Sequence, residues 1–231
     1  MSLYFWINIL SISVPFLVSF HPRIKLYKNW GPLFLAMILA MIPFIVWDIY
    51  FTEKGYWGFN PDYLSGTYLF NLPIEEWLFF ICIPYSCIFM QLALIELSPK
   101  WILSYKTANI ISYALFLLFA GVLVVNTDKM YTLFDMSYAL LVLGHVFFWK
   151  REILRKFYLP FLAMLVPFAI VNGVLTGTGI ENEIVWYNNT ENLAIRFFTI
   201  PIEDFAYAFS MILSVSYLFN LFKNRKRKST S

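Results

Sequence analysis

Seven long apolar stretches, separated by short polar connections, constrain the fold of this chain more than any other feature of its sequence. They lie at about 3–20, 31–51, 73–95, 108–125, 131–149, 158–175 and 199–222. A helix needs about 20 apolar residues to cross a bilayer, and seven crossings fit within 231 residues. Only 13% of the residues are charged, against about a quarter in soluble proteins. We therefore predict an all-α membrane domain with seven transmembrane helices rather than a water-soluble globule.

The basic residues indicate how this domain is oriented in its membrane. Fourteen of the 17 lysines and arginines fall in the connections after the first, third and fifth stretches and in the C-terminal tail. Because such residues are retained on the cytoplasmic side, we expect an external N-terminus and a cytoplasmic C-terminus. Twelve of the 14 acidic residues lie at the opposite, outer side. The pattern predicts a multi-pass protein of the cell membrane and favours a bacterial inner membrane.

Several functional classes lack the residues that they need. Cys82 and Cys87 are the only cysteines and have no histidine partner nearby, so neither a disulfide framework nor a metal site is expected. No Gly-rich dinucleotide fingerprint is present, and no folded basic surface is left for a nucleic acid. Retinal proteins need a lysine in the last helix for a Schiff base, and residues 199–222 contain none. A proton-coupled transporter or receptor with seven helices stays an alternative, although acids at one face make a poor relay.

An internal repeat places acidic residues at equivalent positions in two halves of the chain. At an offset of 128 residues, the segment 72–77 (LPIEEW) matches 200–205 (IPIEDF). Further matches are Phe59-Asn60 with Tyr187-Asn188, Phe79 with Tyr207 and, after a four-residue gap, Trp47-Asp48 with Val171-Asn172. We predict a first repeat at 1–95, a linking helix at 96–130, a second repeat at 131–222 and a basic cytoplasmic tail at 223–231. One linking helix makes the repeat parallel, so the acidic motifs can face each other.

The two acidic pairs, Glu75-Glu76 and Glu203-Asp204, are the candidate catalytic groups. A single Pro-Ile-Glu-Glu motif has a structural explanation, because proline suits the first helical turn and carboxylates stabilise a helix N-terminus. Two copies at one membrane depth favour a function, since intramembrane acids are costly to keep. Neighbouring helical residues point about 100° apart and do not share a face. We expect Glu75 and Glu203 to converge, with Glu76 and Asp204 in supporting contacts, and the opposite choice stays open.

Taken together, these motifs resemble those of the integral-membrane lycopene cyclases, the cofactor-free type of some bacteria, archaea and fungi. The resemblance is carried by Trp47-Asp48, the loop at 58–63 (GFNPDY), Pro73-Ile74-Glu75-Glu76 with Phe79-Phe80, and Pro201-Ile202-Glu203-Asp204 with Tyr207. It runs nearly end to end, and the chain is similar to the form in which two small subunits are fused. The second copy departs from the first, with Asp204 in place of Glu76 and Asn172 in place of Asp48.

The resemblance implies a carotenoid β-cyclase, an isomerase of the intramolecular lyase type. A proton adds to a terminal double bond, an internal double bond attacks the cation, and a ring proton is lost, which converts lycopene to γ-carotene and β-carotene. The implied catalytic residues are Glu75, Glu76, Glu203 and Asp204. The implied substrate-binding residues are Trp47, Asp48, Asn60, Trp77, Phe79, Phe80, Asn172, Asn188, Phe205 and Tyr207. Aromatic faces near the cation contribute about 0.5 to 2 kcal/mol each.

The resemblance also implies partners and leaves some of them open. The expected partners are lycopene or a related acyclic carotenoid and the membrane lipid that delivers it, with no nucleic acid, no metal and no cofactor. A cyclase of 50-carbon carotenoids is an alternative within the family. Other carotenoid enzymes or a second copy of the chain stay open as protein partners.

Overall fold

The computed structural model describes residues 2–229, which form seven α-helices and six short β-strands. The helices are α1 (Leu3–Val18), α2 (Trp30–Lys54), α3 (Ile74–Leu97), α4 (Tyr105–Val125), α5 (Met130–Trp149), α6 (Arg151–Leu175) and α7 (Glu203–Ser229). The strands are β1 (Trp57–Phe59), β2 (Tyr68–Leu69), β3 (Leu72–Pro73), β4 (Val185–Tyr187), β5 (Arg196–Phe197) and β6 (Ile200–Pro201).

Six of these seven helices, α2 to α7, are long and apolar enough to cross a membrane. The chain is therefore an all-α, multi-pass membrane protein. Helix α1 has only 16 residues, which at 1.5 Å per residue span about 24 Å, less than the roughly 30 Å of a bilayer core. A seventh crossing by α1 stays a prediction.

All seven predicted stretches are helical, but the sixth helix begins at Arg151 rather than near 158, and the seventh begins at Glu203 rather than near 199. The third helix begins at Ile74, close to the predicted 73, and both it and the seventh helix follow a strand. The residues just before them pair as the second strands of two short hairpins, β2 with β3 and β5 with β6. Pro73 and Pro201 end these strands, and a proline lacks the N–H that a helix interior needs.

Side-chain hydrogen bonds define the directions in which the helices run. The start of α1 contacts the start of α3, where the Tyr4 hydroxyl donates to Glu76 Oε2 at 2.6 Å, and the start of α5 contacts the start of α7 in the same way. Helix α6 runs the other way, because Gln91 near the end of α3 donates to the Lys156 carbonyl near the start of α6. Asn172 near the end of α6 donates to Asp204 at the start of α7, so the starts of α3, α5 and α7 lie at one end of the bundle.

Helix α7 lies at the centre of the packed domain, and α4 lies at its edge. Leu213 of α7 is fully buried, and α7 packs against α2, α3, α5 and α6. On α4, Leu117 and Val125 are 77% and 79% exposed, as expected of side chains that face lipid. The predicted linking helix is thus peripheral and leaves the interior to the two flanking sets of helices.

The two connections that precede α3 and α7 pair with each other through one strand each, and each contains a short hairpin of the same kind. Strand β1 pairs with β4 in antiparallel register, so the loop after α2 and the loop after α6 lie on the same side. Each two-residue hairpin loop begins with a phenylalanine at positive φ, 57° for Phe70 and 55° for Phe198, a conformation that such loops usually assign to glycine. These two residues are 128 positions apart.

The predicted orientation can be tested by labelling single cysteines in a variant that lacks both native ones. Asp62 and Glu183 are exposed in the loops that β1 and β4 bring together, and we expect cysteines at both sites to react with an impermeant reagent in intact cells. A cysteine at Lys100, in a predicted cytoplasmic connection, is the control and should react only after permeabilisation. Protection of either outer site in intact cells would contradict the orientation.

Candidate active site

A largely apolar cavity of about 360 Å³ lies among the helices, next to the starts of α3 and α7. Most of its wall comes from α1, α3, α6 and α7, and the first turn of α5 and the strands β1 and β4 complete it. Apart from Ser11 and Ser86, which lie further along α1 and α3, its polar side chains gather where α3 and α7 begin: Tyr4, Glu76, Tyr131, Asn172, Tyr187, Asp204 and Tyr207. The cavity thus joins an apolar chamber to one group of carboxyls and hydroxyls.

Glu76 occupies the first turn of α3, and it is 4% exposed. The helix starts here because Pro73, whose φ of −65° is fixed by its ring, directly precedes the first turn. One carboxyl oxygen, Oε2, accepts a hydrogen bond of 2.6 Å from the Tyr4 hydroxyl. Glu76 therefore presents to the cavity a carboxyl with one hydrogen-bond donor among residues 2–229.

Asp204 occupies the first turn of α7, and three donors surround its carboxyl. The Tyr131 hydroxyl donates to Oδ1 at 2.6 Å, and Asn172 Nδ2 donates to Oδ2 at 2.7 Å. The Tyr187 hydroxyl also donates to Oδ2, at 3.1 Å. Hydrogen bonds to both oxygens favour the charged form of a carboxyl. Burial raises the pKa of Tyr187 well above its ordinary value, so this phenol stays a neutral donor.

Glu76 and Asp204 belong to the same electrostatic group across the α3–α7 interface. The two carboxyls are near enough for a charge on one to disfavour a charge on the other, and the same holds for Asp48 of α2 and Glu76. Asp48 is fully buried and accepts a 3.2 Å hydrogen bond from the Tyr207 hydroxyl. The two carboxyls that line the cavity differ in the number of hydrogen bonds that they accept. Such a difference in environment is what allows one carboxyl to act as an acid and another as a base.

Glu75 and Glu203 lie elsewhere, in contrast to the expectation that they converge on the reacting group. Neither lines the cavity. Glu75 Oε1 accepts from the Ser2 hydroxyl and the Ser65 backbone N–H, and Glu203 Oε1 accepts from the Thr132 hydroxyl and the Leu193 N–H. Neighbouring helical residues point about 100° apart. Glu75 and Glu203 therefore face the start of α1 or α5 and the loop before their own helix, and their hydrogen bonds anchor both.

Three of the ten residues expected to bind substrate line the cavity. They are Phe79, Asn172 and Tyr207. Asp48 lies behind Tyr207, and Trp47 and Phe80 pack with Phe44 in an aromatic cluster of the interior. These last three support the wall and do not form its surface.

The other four expected binding residues do not line the cavity: Asn60 and Asn188 lie in loops, and Trp77 and Phe205 contact the hairpins from the first turns of α3 and α7. Asn60 and Asn188 use their side-chain oxygens to accept backbone N–H groups two residues further on, which stabilises turns. Trp77 donates to the Leu69 carbonyl in the first hairpin, and Phe205 packs against Phe197 in the second. Their polar or aromatic groups are thus used locally.

The sequence analysis did not identify Tyr4, Tyr131 or Asp135 in this region. It named Tyr187 as part of the repeat but did not predict that its hydroxyl donates to Asp204. Tyr4 and Tyr131 play matching parts at an offset of 127 residues, one less than the offset of the acidic motifs. Allowing a gap of one residue in the self-comparison would have aligned them. Asp135, fully buried on α5, aligns with Asn8 under the same shift.

A comparison with known families assigns the chain. A family model described as lycopene cyclase matches residues 1–94 and 128–222, which is most of the sequence. The chain belongs to the lycopene cyclase family. No curated protein and no solved structure matches it.

Membership of the lycopene cyclase family makes this protein an enzyme of carotenoid biosynthesis and its cavity the candidate site for a carotenoid. The segment between the two matched regions, 95–127, contains all of α4. Within residues 2–229, no three His, Cys, Asp or Glu side chains are grouped to hold a metal ion.

The anchoring contacts of Glu75 and Glu203 predict a loss of stability when either carboxylate is removed. Glu75→Ala and Glu203→Ala each leave a backbone N–H and a hydroxyl without their acceptor, which should cost about 1 to 3 kcal/mol. Thermal unfolding in detergent, followed by tryptophan fluorescence, should show a lower midpoint for both variants. Glu53→Ala, at an exposed position of α2, is the control. Unchanged midpoints for both variants would contradict the anchoring role.

Proposed function

We propose that this protein is a lycopene β-cyclase that closes rings at the ends of acyclic carotenoids, lycopene to γ-carotene and β-carotene. The observation that carries the proposal is the pair Glu76 and Asp204 at one apolar cavity in a member of this family. The reaction is an isomerisation without net redox change, and it needs an acid, a base and protection from water.

The cavity suits a hydrocarbon end group that reaches it from the lipid. A hydrocarbon offers no hydrogen bonds, so shape and apolar packing must hold it. The wall provides these through side chains such as Phe79, Phe161 and Met211. Pro167 of the wall is exposed on the outer surface of α6, so the chamber extends to a helix face that contacts lipid. The bilayer then delivers the substrate and excludes water.

The hydrogen bonds suggest different roles for the two carboxyls. Both side chains are 4% exposed, but Asp204 receives three hydrogen bonds, which stabilise it as a carboxylate, whereas Glu76 receives one from the described residues. Burial without compensating donors favours the neutral form of an acid. Glu76 therefore gives its proton to the terminal double bond, and Asp204 accepts the ring proton. Return of that proton from Asp204 to Glu76 restores the enzyme.

Aromatic side chains protect the cation between these two proton transfers. Trp57, Phe79 and Tyr207 line the cavity close to the carboxyl groups. Each ring face contributes about 0.5 to 2 kcal/mol of cation–π attraction, with the larger value where water is excluded. The negative charge of Asp204 adds to this attraction. Exclusion of water also prevents the cation from being trapped as an alcohol.

We also propose that the two matched regions are a parallel repeat with unequal roles. Supporting evidence comes from a contact that recurs 128 residues further on. The Ser65 backbone N–H donates to the Glu75 carboxylate at 2.7 Å, and the Leu193 N–H donates to the Glu203 carboxylate at the same distance. The halves differ at the carboxyl itself, where Tyr187 donates to Asp204 while the matching Phe59 has no hydroxyl. This difference separates the base from the acid.

The role assignment predicts which glutamate of the Glu75-Glu76 pair the reaction needs most. Glu76→Gln and Asp204→Asn keep size but cannot transfer the proton, so each should reduce product formation about 10²- to 10⁴-fold. Glu75→Gln, the same change one residue away, is the matched control and should cause a much smaller loss. Product is measured by chromatography, and accumulation of each variant in the membrane is measured by immunoblot. A larger loss in Glu75→Gln than in Glu76→Gln would reverse the assignment.

The substrate proposal predicts a colour change in cells that accumulate lycopene. Expression of the wild-type chain should convert red cells to yellow-orange, and chromatography should identify γ-carotene or β-carotene. If an acyclic 50-carbon carotenoid is cyclised while lycopene is not, the proposed substrate is wrong, but the proposed ring-closing reaction is still supported. If neither carotenoid is cyclised by a protein that accumulates in the membrane, the proposed function is wrong.

The acid–base mechanism predicts activity without flavin or nicotinamide. Purified protein in liposomes that contain lycopene should form cyclic product at the same rate with and without either added cofactor. Activity that is lost on removal of flavin and restored by its addition would contradict a mechanism based on carboxyls alone.

A further inference from the structure

The cavity extends along the helix axes, far beyond the carboxyls at one of its ends. Its wall runs from Glu76 to Met90 on α3 and from Leu175 back to Phe161 on α6. At 1.5 Å per residue, each of these stretches is about 21 Å long. Away from the acids the wall is mostly apolar. The chamber therefore has the length for a stretch of linear hydrocarbon in addition to the end group that reacts.

Hydrogen bonds tie α1 to α3 along this length. Asn8 Nδ2 donates to the Glu75 carbonyl at 2.8 Å, and further along the two helices the Ser86 hydroxyl donates to the Ser11 carbonyl at 2.9 Å. The Ser11 carbonyl is free for this bond because Pro15, four residues later, has no N–H to donate. The side of the cavity between α1 and α3 is thus closed.

Contacts also close the cavity between α3, α6 and α7. Gln91 of α3 donates to the Lys156 carbonyl of α6 at 3.0 Å, just past the end of the chamber. Phe161 of α6 packs edge-to-face on Phe209 of α7, with 5.5 Å between the ring centroids. Between α1 and α6, in contrast, no described residues share a hydrogen bond or a ring contact, and the two helices touch at few points. The remaining side of the cavity is this seam between α1 and α6.

Both edges of the α1–α6 seam combine side chains that line the cavity with side chains that face lipid. On α1, Ser11 and Pro15 line the cavity, and the residues before them, Leu10 and Val14, are exposed. On α6, Pro167 lines the cavity and is itself exposed. The cavity wall therefore continues into the lipid-facing surface at this seam.

We propose that the α1–α6 seam is a portal through which one end of an acyclic carotenoid passes sideways from the bilayer into the cavity, and that the polyene lies in this portal while the ring closes. The inference rests on the proposed cyclase function and adds the route of its substrate. A carotenoid is dissolved in the hydrocarbon core, and an entrance through the loops would expose its large apolar surface to water first. A side entrance avoids this cost.

Each edge of the portal also contains a proline within its helix, Pro15 in α1 and Pro167 in α6. A proline removes one helical hydrogen bond, and helices commonly bend where this happens. Both edges can therefore bend to admit an end group, while the hydrogen bonds between α1 and α3 hold the opposite side of the cavity in place.

The first experiment closes the portal with a disulfide. Tyr4 of α1 and Asn172 of α6 both donate to the acids, so Ser11 and Leu165, each seven residues further into the bundle, lie at similar depths in the cavity wall. Ser11→Cys and Leu165→Cys are combined in a chain without the native cysteines, in liposomes that contain lycopene. The linked protein should turn over at least about tenfold more slowly than the same protein after reduction.

A cysteine pair outside the cavity is the matched control. Thr178→Cys and Thr199→Cys replace hydroxyls that lie 2.6 Å apart, between the loop after α6 and the second hairpin. Their disulfide leaves the portal open, so oxidation should not change turnover. Where the sulfurs of the seam pair do not reach each other, bis-methanethiosulfonate reagents of increasing length bridge them. If these reagents link the control pair but never the seam pair, α1 and α6 do not face each other across the cavity and the portal is wrong.

The second experiment detects the substrate in the portal without catalysis. Glu76→Gln is added to the seam pair, and the rate of disulfide formation is compared in liposomes with and without lycopene. A polyene between α1 and α6 should slow the seam disulfide several-fold and leave the control disulfide unchanged.

Three results would overturn the portal: undiminished turnover of the linked seam pair, equal losses in the seam and control pairs, or a seam disulfide that forms at the same rate with and without lycopene. If the wild-type chain closes no ring while lycopene still slows the seam disulfide, the portal is supported and the proposed cyclase function is wrong.

Discussion

Carboxylates buried at the starts of α3 and α7 need hydrogen-bond donors, and the rest of the structure depends on how this need is met. In a membrane domain, water does not supply those donors, and an unsatisfied carboxylate is very costly. Several donors come from the start of a parallel helix earlier in the chain: Ser2 and Tyr4 at the start of α1 serve α3, and Thr132 and Tyr131 at the start of α5 serve α7. The same bonds therefore fix α1 against α3 and α5 against α7.

A consequence of this arrangement is a division of roles within each acidic pair. One member, Glu75 or Glu203, accepts a loop N–H and a hydroxyl and anchors the chain that precedes its helix. The other, Glu76 or Asp204, turns toward the cavity. Anchoring by the first member holds the helix start in place and, in the proposed mechanism, positions the second for proton transfer. The proposal thus gives one acid of each pair a structural role and the other a chemical one.

Much of the fold and part of the site could be predicted from the sequence, and the limits have physical causes. Apolar length and the positions of charges predict the seven helices, because the bilayer imposes both. The repeat identifies both acidic pairs, but periodicity does not say which member of a pair faces the interior. That choice depends on the donors Tyr4 and Tyr131, which lie more than 70 residues away in sequence. The cavity wall formed by α6 likewise depends on packing between distant segments.

The most direct test of the account is a structure of the Glu76→Gln variant with lycopene bound in a lipid environment. The account predicts that one end group of the carotenoid occupies the cavity, with carbon atoms within about 4.5 Å of both residue 76 and Asp204. The rest of the polyene should leave the protein toward lipid. An end group bound next to Glu75 or Glu203, or outside the helix bundle, would contradict it.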